Sequence, residues 1–309
     1  MSNKQTILVT GGAGFIGSNT VKFLCDLGYS VRVIDDLSFG YKKFVDSRAE
    51  FFEASIADEK TLEKALAGVE AVFHFAGSSI IKFSIDNPMS YVENNIVNGT
   101  KLLDGMRKAS VKKIIFSSSA SVYGEPKSVP VKEDQAKIPL QPYGASKLAF
   151  EAILSAYYQS FGIESTSLRY FNAYGPYDEQ MPATRAVPMW IKEAIAGEPI
   201  KTYWNGSQLR DYIFVRDIAQ AHVDVLPLSG CNVFNIGSGN GIIMKDLLDE
   251  IVKIMGLKNK IVDMGERPGD PMKLVADTSA IFQAVGWRPK VSLHEGLAET
   301  IHYFKNAKK

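Results

Sequence analysis

Tyr143 and Lys147 stand four residues apart in Tyr143-Gly144-Ala145-Ser146-Lys147, a spacing that puts a phenol and an ammonium on one face of a helix. A free phenol, with a pKa of ~10, is a poor base at neutral pH, and a cation held beside it favours the phenolate. Lys147 is the candidate for that cation. Upstream, Ile114-Ile115-Phe116 read as a buried strand that runs into Ser117-Ser118-Ser119-Ala120-Ser121-Val122-Tyr123-Gly124. Hydroxyls are thereby set at the carboxyl edge of a sheet, where α/β proteins bind ligands. Beside a nicotinamide, the Tyr143–Lys147 pair would be a redox centre. For Ser117, Ser118 and Ser121, local backbone capping is the favoured reading.

The nicotinamide is suggested by Thr10-Gly11-Gly12-Ala13-Gly14-Phe15-Ile16-Gly17, which joins a short apolar strand to a helical stretch. Gly11 permits a tight turn, Gly14 lets the backbone approach a pyrophosphate, and Gly17 allows close packing of helix on strand. The helix start offers unpaired N–H groups and partial positive charge to the anion. Asp35 ends the next strand, placed to accept from an adenosine ribose and to repel a 2′-phosphate. Asp36 and Leu37 follow it, with no Arg or Lys for such a phosphate, so the expected cofactor is NAD rather than NADP. Turn or cap chemistry is the alternative for Asp36 and Ser38.

These groups need a scaffold. Strands are predicted over Thr6–Val9, Ser30–Ile34, Ala71–Phe75, Lys113–Ser117, Ser165–Tyr170 and Val233–Ile236. Helical stretches such as Thr61–Leu66, Pro88–Lys108 and Lys147–Gln159 lie between them. Such alternation implies an α/β fold, a Rossmann doubly wound parallel sheet covered on both faces. Past about Asn172, Pro176, Pro182, Pro188 and Pro199 break the pattern. We expect residues 1–172 to form the NAD-binding domain, with 210–238 returning to it, and 173–309 to form a smaller C-terminal substrate-binding lobe.

Composition narrows the function classes. Lys and Arg number 35 against 34 Asp and Glu, a net charge of +1, so no overall field recruits nucleic acid or a membrane. Cys25 and Cys231 are too few for a disulfide framework or a thiolate metal site, no metal is expected, and both read as buried. A reducing cytoplasm fits, since there is no charged-then-apolar leader and no run of about 18 apolar residues.

The glycine loop, His74-Phe75-Ala76-Gly77, Ser117–Gly124 with Tyr143 and Lys147, Arg169-Tyr170-Phe171-Asn172, Arg210-Asp211-Tyr212 and Arg267-Pro268-Gly269-Asp270 follow one another in this order. In this the chain resembles the extended short-chain dehydrogenase/reductases, and among them the nucleotide-sugar 4-epimerases that act on UDP-glucose and UDP-galactose. The resemblance implies an enzyme, a UDP-sugar 4-epimerase, that keeps NAD bound and works as a homodimer. Tyr143 would take the proton of the sugar 4-hydroxyl as hydride leaves C4, and return it after the 4-keto sugar has turned over. Ser119 would hydrogen-bond the 4-oxygen, and Lys147 would also hold the nicotinamide ribose. Ser55, Ile56, Phe75, Ala76, Gly77, Asn95, Ser117 and Tyr170 are implied cofactor contacts, together with Phe15 and Ile16. Asn172, Arg185, Val187, Tyr203, Arg210, Arg267 and Asp270 are implied substrate contacts, the arginines suiting phosphate through their planar fork.

The chain also departs from its relatives' pattern. Relatives that dehydrate or decarboxylate carry an acid two positions after the catalytic hydroxyl, where this chain has Ala120-Ser121. Ser55 stands where the family has an adenine-contacting Asp, leaving that bond weaker or remade by Asp58. The stretch Asn95-Ile96-Val97-Asn98-Gly99-Thr100 is one residue longer than usual. Arg185 would add a phosphate contact or meet an extra negative charge on the substrate, and Tyr203 would serve equally well as a core aromatic. Leu274, intermediate in bulk, leaves both UDP-glucose/UDP-galactose and their N-acetylated counterparts open. A UDP-glucuronate 4-epimerase, a 4-ketosugar reductase and a non-catalytic NAD-responsive regulator are the alternatives.

Overall fold

The computed structural model describes residues 5–179, 184–266 and 271–307. Among them, strands run over Thr6–Thr10 (β1), Ser30–Asp35 (β2), Glu50–Glu53 (β3), Ala71–His74 (β4), Lys113–Ser119 (β5), Glu164–Tyr170 (β6) and Asn172–Tyr174 (β7). Further along are Ile200–Thr202 (β8), Leu209–Phe214 (β9), Cys231–Ile236 (β10), Gly241–Ile243 (β11), Ile261–Asp263 (β12) and Lys273–Leu274 (β13). A seven-stranded parallel sheet takes the order β10-β6-β5-β4-β1-β2-β3. This is the expected doubly wound Rossmann sheet. Strand order reverses between β1 and β4, so the carboxyl ends of those two strands frame the crevice where such sheets bind ligands.

The strands are continuous apolar runs because both faces are covered. On one face Val21 and Leu24 of the Phe15–Asp26 helix pack with Ile218 and Ala221 of the Val215–Asp224 helix. On the other, Leu62, Leu102, Met106, Phe150 and Leu154 come from helices Glu59–Leu66, Asn98–Lys108 and Pro142–Phe161. The chain returns to this sheet through the Val215–Asp224 helix and β10. β9 stays outside, in a second sheet ordered β11-β9-β13 with β7 also pairing β9. Trp190, Ile191, Leu247, Ile251, Ile301 and Phe304 make a separate core around that part of the chain.

Three local features differ from expectation. β3, not foreseen, is a short edge strand in which charged Glu50 and Glu53 flank half-buried Phe51 and Phe52. The predicted helix Pro88–Lys108 changes register, with a π-helical turn over Val92–Val97 between α-helical Pro88–Tyr91 and Asn98–Lys108. The extra residue read between Asn95 and Thr100 lies at this widened turn, which takes up one residue without ending the helix. Cys25 is buried as expected, but Cys231 is exposed at the start of β10. No described helix is long and apolar enough to cross a membrane.

His74 and His222 are sealed beneath the crevice. Nδ1 of His74 lies 2.7 Å from the Thr10 hydroxyl. Nδ1 of His222 lies 2.9 Å from the Ile218 carbonyl, which can only accept, so Nε2 accepts from the Tyr170 hydroxyl at 2.9 Å. Burial pulls the pKa of His74 down to about 3, with Lys147 adding to the effect, and that of His222 down to about 4. An unfolded chain binds these protons near the ordinary value of 6.5, so stability falls as pH drops below it. The melting temperature is expected to decline steadily from pH 6.5 to pH 4, and a flat profile would show that the two imidazoles do not titrate as their burial requires.

Candidate functional site

The glycine loop leaves the end of β1 at the strand-order reversal. Gly11 has φ +71°, and a Cβ there would meet the Ala76 nitrogen at 2.5 Å. A Cβ on Gly17 would meet the Gly11 carbonyl oxygen at 2.1 Å, so helix and turn approach as only glycine permits. The Phe15–Asp26 helix begins at Gly14 with no side-chain cap. Its first-turn N–H groups, on Phe15 and Ile16, are left for a ligand at the positive end of the helix dipole. These uncapped donors fit the pyrophosphate of a dinucleotide.

Asp35 ends β2 beside this loop and accepts from the Ala13 N–H at 2.9 Å and the Leu37 N–H at 2.8 Å. Burial raises its pKa, while those two hydrogen bonds pull it back. Each carboxylate oxygen keeps a lone pair for a ribose hydroxyl. Asp36 and Ser38 are exposed and bonded to each other, Ser38 N–H to Asp36 Oδ1 at 3.0 Å, which is the turn chemistry weighed above. Ser55 accepts from Ala57 N–H at 3.2 Å, and Ile56 is buried beside it. The Asp58 carboxylate caps the Glu59–Leu66 helix, accepting from Thr61 N–H at 2.8 Å.

Asn95 is a brace rather than part of the cavity wall. Its amide accepts from Ser78 N–H at 2.7 Å and donates to the Ser78 carbonyl at 3.0 Å and the Ser146 hydroxyl at 2.9 Å. The π-helical turn turns it toward the loop after β4, so it holds Gly77 and Ser78 against the helix that carries Lys147. Ala76 at the crossover donates its N–H to the Thr10 carbonyl and hydroxyl at 3.1 and 3.2 Å.

A cavity of about 560 Å³ runs from the glycine loop, Phe75 and Gly77, past the ends of β5 and β6, into the cleft bordered by β9. Ser119, Tyr143 and Lys147 converge on it. The Ser119 hydroxyl is hydrogen-bonded to Tyr143 and also accepts from Ser121 N–H at 3.1 Å. Lys147 Nζ donates to the Ser117 carbonyl at 2.7 Å, lies 4.8 Å over the Phe116 ring, and is 6.0 Å from the centre of the Tyr143 ring. Tyr170 closes the floor with its hydroxyl held by His222.

The electrostatics correct one expectation. Burial raises the pKa of Tyr143, while the Ser119 hydrogen bond and the positive charge of Arg185 oppose the rise. Lys147 is not the cation that lowers the phenol in this arrangement, because its ammonium is directed at the Ser117 carbonyl. Burial pulls Lys147 itself down to about 8, and Glu151, one helical turn away, pulls it back up.

Of the implied substrate contacts, Asn172, Arg185, Val187, Tyr203 and Arg210 all border the cavity. Arg185 is held bidentately by the buried carboxylate of Asp178, with Nε at 2.8 Å, and stacks 5.3 Å over Phe15. Arg210 donates to the Leu209 carbonyl at 3.0 Å and to that of Pro271, and Asn172 donates to the Asp211 carbonyl at 3.1 Å. Arg267 and Asp270 lie outside the described residues.

Two residues that serve the site went unread in the sequence. Glu151 could have been found as an acid four residues after Lys147 on the same helix face, whereas Asp178 carries no local signal. Ser118 also differs from the capping read for it. Strand alternation turns its hydroxyl away from Ser117 and Ser119, and it donates to Glu151 at 2.5 Å.

A doubly wound sheet with an uncapped glycine-loop helix at its order reversal, and a serine, tyrosine and lysine at the next strand end, defines a dinucleotide-dependent Rossmann enzyme. The sequence profile of the NAD-dependent epimerase/dehydratase family matches residues 7–237, and the chain belongs to that family. A UDP-glucose 4-epimerase of Lactobacillus helveticus is 35% identical over 96% of this chain and 94% of its own length. The crystal structure of a UDP-glucose 4-epimerase with UDP-glucose from Thermotoga maritima is similar with a TM-score of 0.95 and 36% identity, covering 99% of this chain and 100% of that one. A UDP-N-acetylglucosamine 4-epimerase from Methanobrevibacter ruminantium, in complex with UDP-N-acetylmuramic acid, has a TM-score of 0.94 and 32% identity, covering 98% and 99% of the two chains.

The glycine loop yields a direct test. Gly17→Ala is expected to push the helix start off Gly11, so that the purified protein carries far less NAD, measured by release and chromatography, while its circular dichroism stays folded. An unchanged NAD content in the folded variant would show that the loop tolerates the clash and does not cradle the cofactor.

Proposed function

We propose that this chain inverts C4 of a UDP-sugar through a 4-keto intermediate. The observation that carries the reading is that Ser119, Tyr143 and Lys147 meet at a cavity whose described lining contains no Asp or Glu. Elimination of water or loss of carbon dioxide calls for a further acid–base group, while simple epimerisation needs one proton relay. Ala120 is buried and Ser121 donates its N–H to Ser119, so neither position supplies that group.

Gly14, Phe15, Ile16 and Asp35 would hold NAD, which when bound supplies a hydride acceptor and donor. Ser119 orients the sugar 4-hydroxyl toward the Tyr143 oxygen, which as phenolate takes its proton as C4 becomes a ketone. Tyr143 returns the proton when C4 is reduced on its opposite face. Lys147, charged below about pH 8, holds the nicotinamide ribose next to the reacting carbon. Arg210 grips the diphosphate, and Arg185 adds positive charge nearer the sugar.

Leu274 supports a broad sugar choice. It lies on β13 opposite Arg210, packed with Ala120 and Phe171, and borders the cavity without a phenol that would fill the space of an acetamido group. Turnover of both UDP-galactose and UDP-N-acetylgalactosamine is expected from the parent chain. Tyr143→Phe should keep its bound NAD and lose about 10²- to 10⁴-fold in conversion of UDP-galactose to UDP-glucose. Near-normal turnover in that variant would remove Tyr143 from the proton path.

We further infer a homodimer through the outer faces of helices Asn98–Lys108 and Pro142–Phe161. Val97, just before the first helix, and Phe161, at the end of the second, are exposed apolar side chains. Sedimentation should give twice the chain mass, and a monomer at micromolar concentration would overturn the inference.

A further inference from the structure

β9 brings its side chains to the cleft at period two, so Gln208, immediately before the strand, lies on the same face as Arg210 and Tyr212. The order along that face is set by pairing. Tyr212 lies opposite Asn172 of β7, which follows the end of β6 where the reacting groups are gathered. Gln208 is two residues, ~7 Å, beyond Arg210 in the opposite direction. Its neighbours there are the Thr202–Gly206 turn and Met244, whose N–H donates to the Gln208 carbonyl at 2.9 Å.

Gln208 is 6% exposed, and its side-chain amide has no hydrogen-bond partner among the described residues. Yet no sealed side-chain nitrogen or oxygen among them is left without a partner. The amide therefore opens onto the cavity that Gln208 borders, with a donor and an acceptor offered to whatever fills it. Arginine, which only donates, suits phosphate, whereas a neutral amide suits groups that both donate and accept, such as ribose hydroxyls or the carbonyl and N–H of a pyrimidine. Tyr203 gives the same end of the cavity an aromatic wall.

We infer that Gln208 is a specificity-determining contact for the nucleoside of the substrate, distinct from the diphosphate grip of Arg210; this rests on the proposed UDP-sugar reading. Its amide is buried ready to pair, so a nucleotide that satisfies it is favoured over one that leaves it unpaired. The contact acts on binding, far from the reacting carbon.

Gln208→Leu, which keeps the bulk and removes both polar groups, separates these roles. The variant is expected to raise KM for UDP-galactose and the Kd of uridine monophosphate about tenfold, the loss of roughly one to two neutral hydrogen bonds. Its kcat, bound NAD and inhibition by inorganic pyrophosphate should stay within twofold of the parent. Unchanged uridine monophosphate binding would overturn the assignment, as would equal weakening of uridine monophosphate and pyrophosphate, which would signal a general disturbance of the cleft. If the parent chain bound neither uridine monophosphate nor UDP-galactose, both this assignment and the reading beneath it would fall.

Discussion

The site depends on one buried ion pair behind it. Glu151, on the helix that carries Tyr143 and Lys147, accepts from Arg169 of β6 at 3.0 and 2.7 Å and from the Ser118 hydroxyl of β5 at 2.5 Å. The two charged side chains are 4% and 7% exposed. Arg169 also donates to the Tyr123 hydroxyl at 2.8 Å, and that hydroxyl donates to Asn235 of β10 at 2.7 Å. Three strands and one helix are thus tied by groups that cannot be left unpaired. Removing one partner of such a buried pair typically costs about 3–5 kcal/mol. The consequence is positional, because Ser119 reaches the cavity from β5 and Tyr143 from the helix, and this joint, with the Lys147–Ser117 hydrogen bond, sets one against the other. Proton transfer is sensitive to shifts of ~1 Å, so a rigid joint is worth its desolvation.

In front of the joint, burial sets the charges. Tyr143 is held above its ordinary pKa and Lys147 well below its own, so at neutral pH the phenol is neutral and the lysine still charged. To take the substrate's proton Tyr143 must first give up its own, and Ser119 and Arg185 are the groups that stabilise the resulting phenolate. Arg185 is kept in place by Asp178 rather than by solvent. The described wall of the cavity contributes no carboxylate to compete for the proton.

Much of this was legible as pattern. The six buried strands, the steric roles of Gly11 and Gly17, Asp35 at the end of β2, and the Tyr143–Lys147 spacing are local in sequence, and local sterics and periodicity determine them. β3 was not legible, because a short edge strand with charged ends lacks the apolar run of a central one. Asn95 was legible as a residue of interest but not as a brace, since a one-residue helical excess does not announce which side chain a widened turn redirects. The exposure of Cys231 depended on its place at the start of β10, where apolar neighbours in the chain are not neighbours in space.

By itself the sequence determined the element order, the phosphate-binding turn and the types of group available for chemistry, because each follows from steric and hydrogen-bonding rules acting over a few residues. The tertiary structure alone decided which cation faces the phenol, that Glu151 and Arg169 meet, and that the Gln208 amide is buried at the edge of the cleft with no partner among the described residues. Those outcomes rest on distances between residues far apart in the chain and on the desolvation that packing imposes. Neither quantity is written in any local pattern.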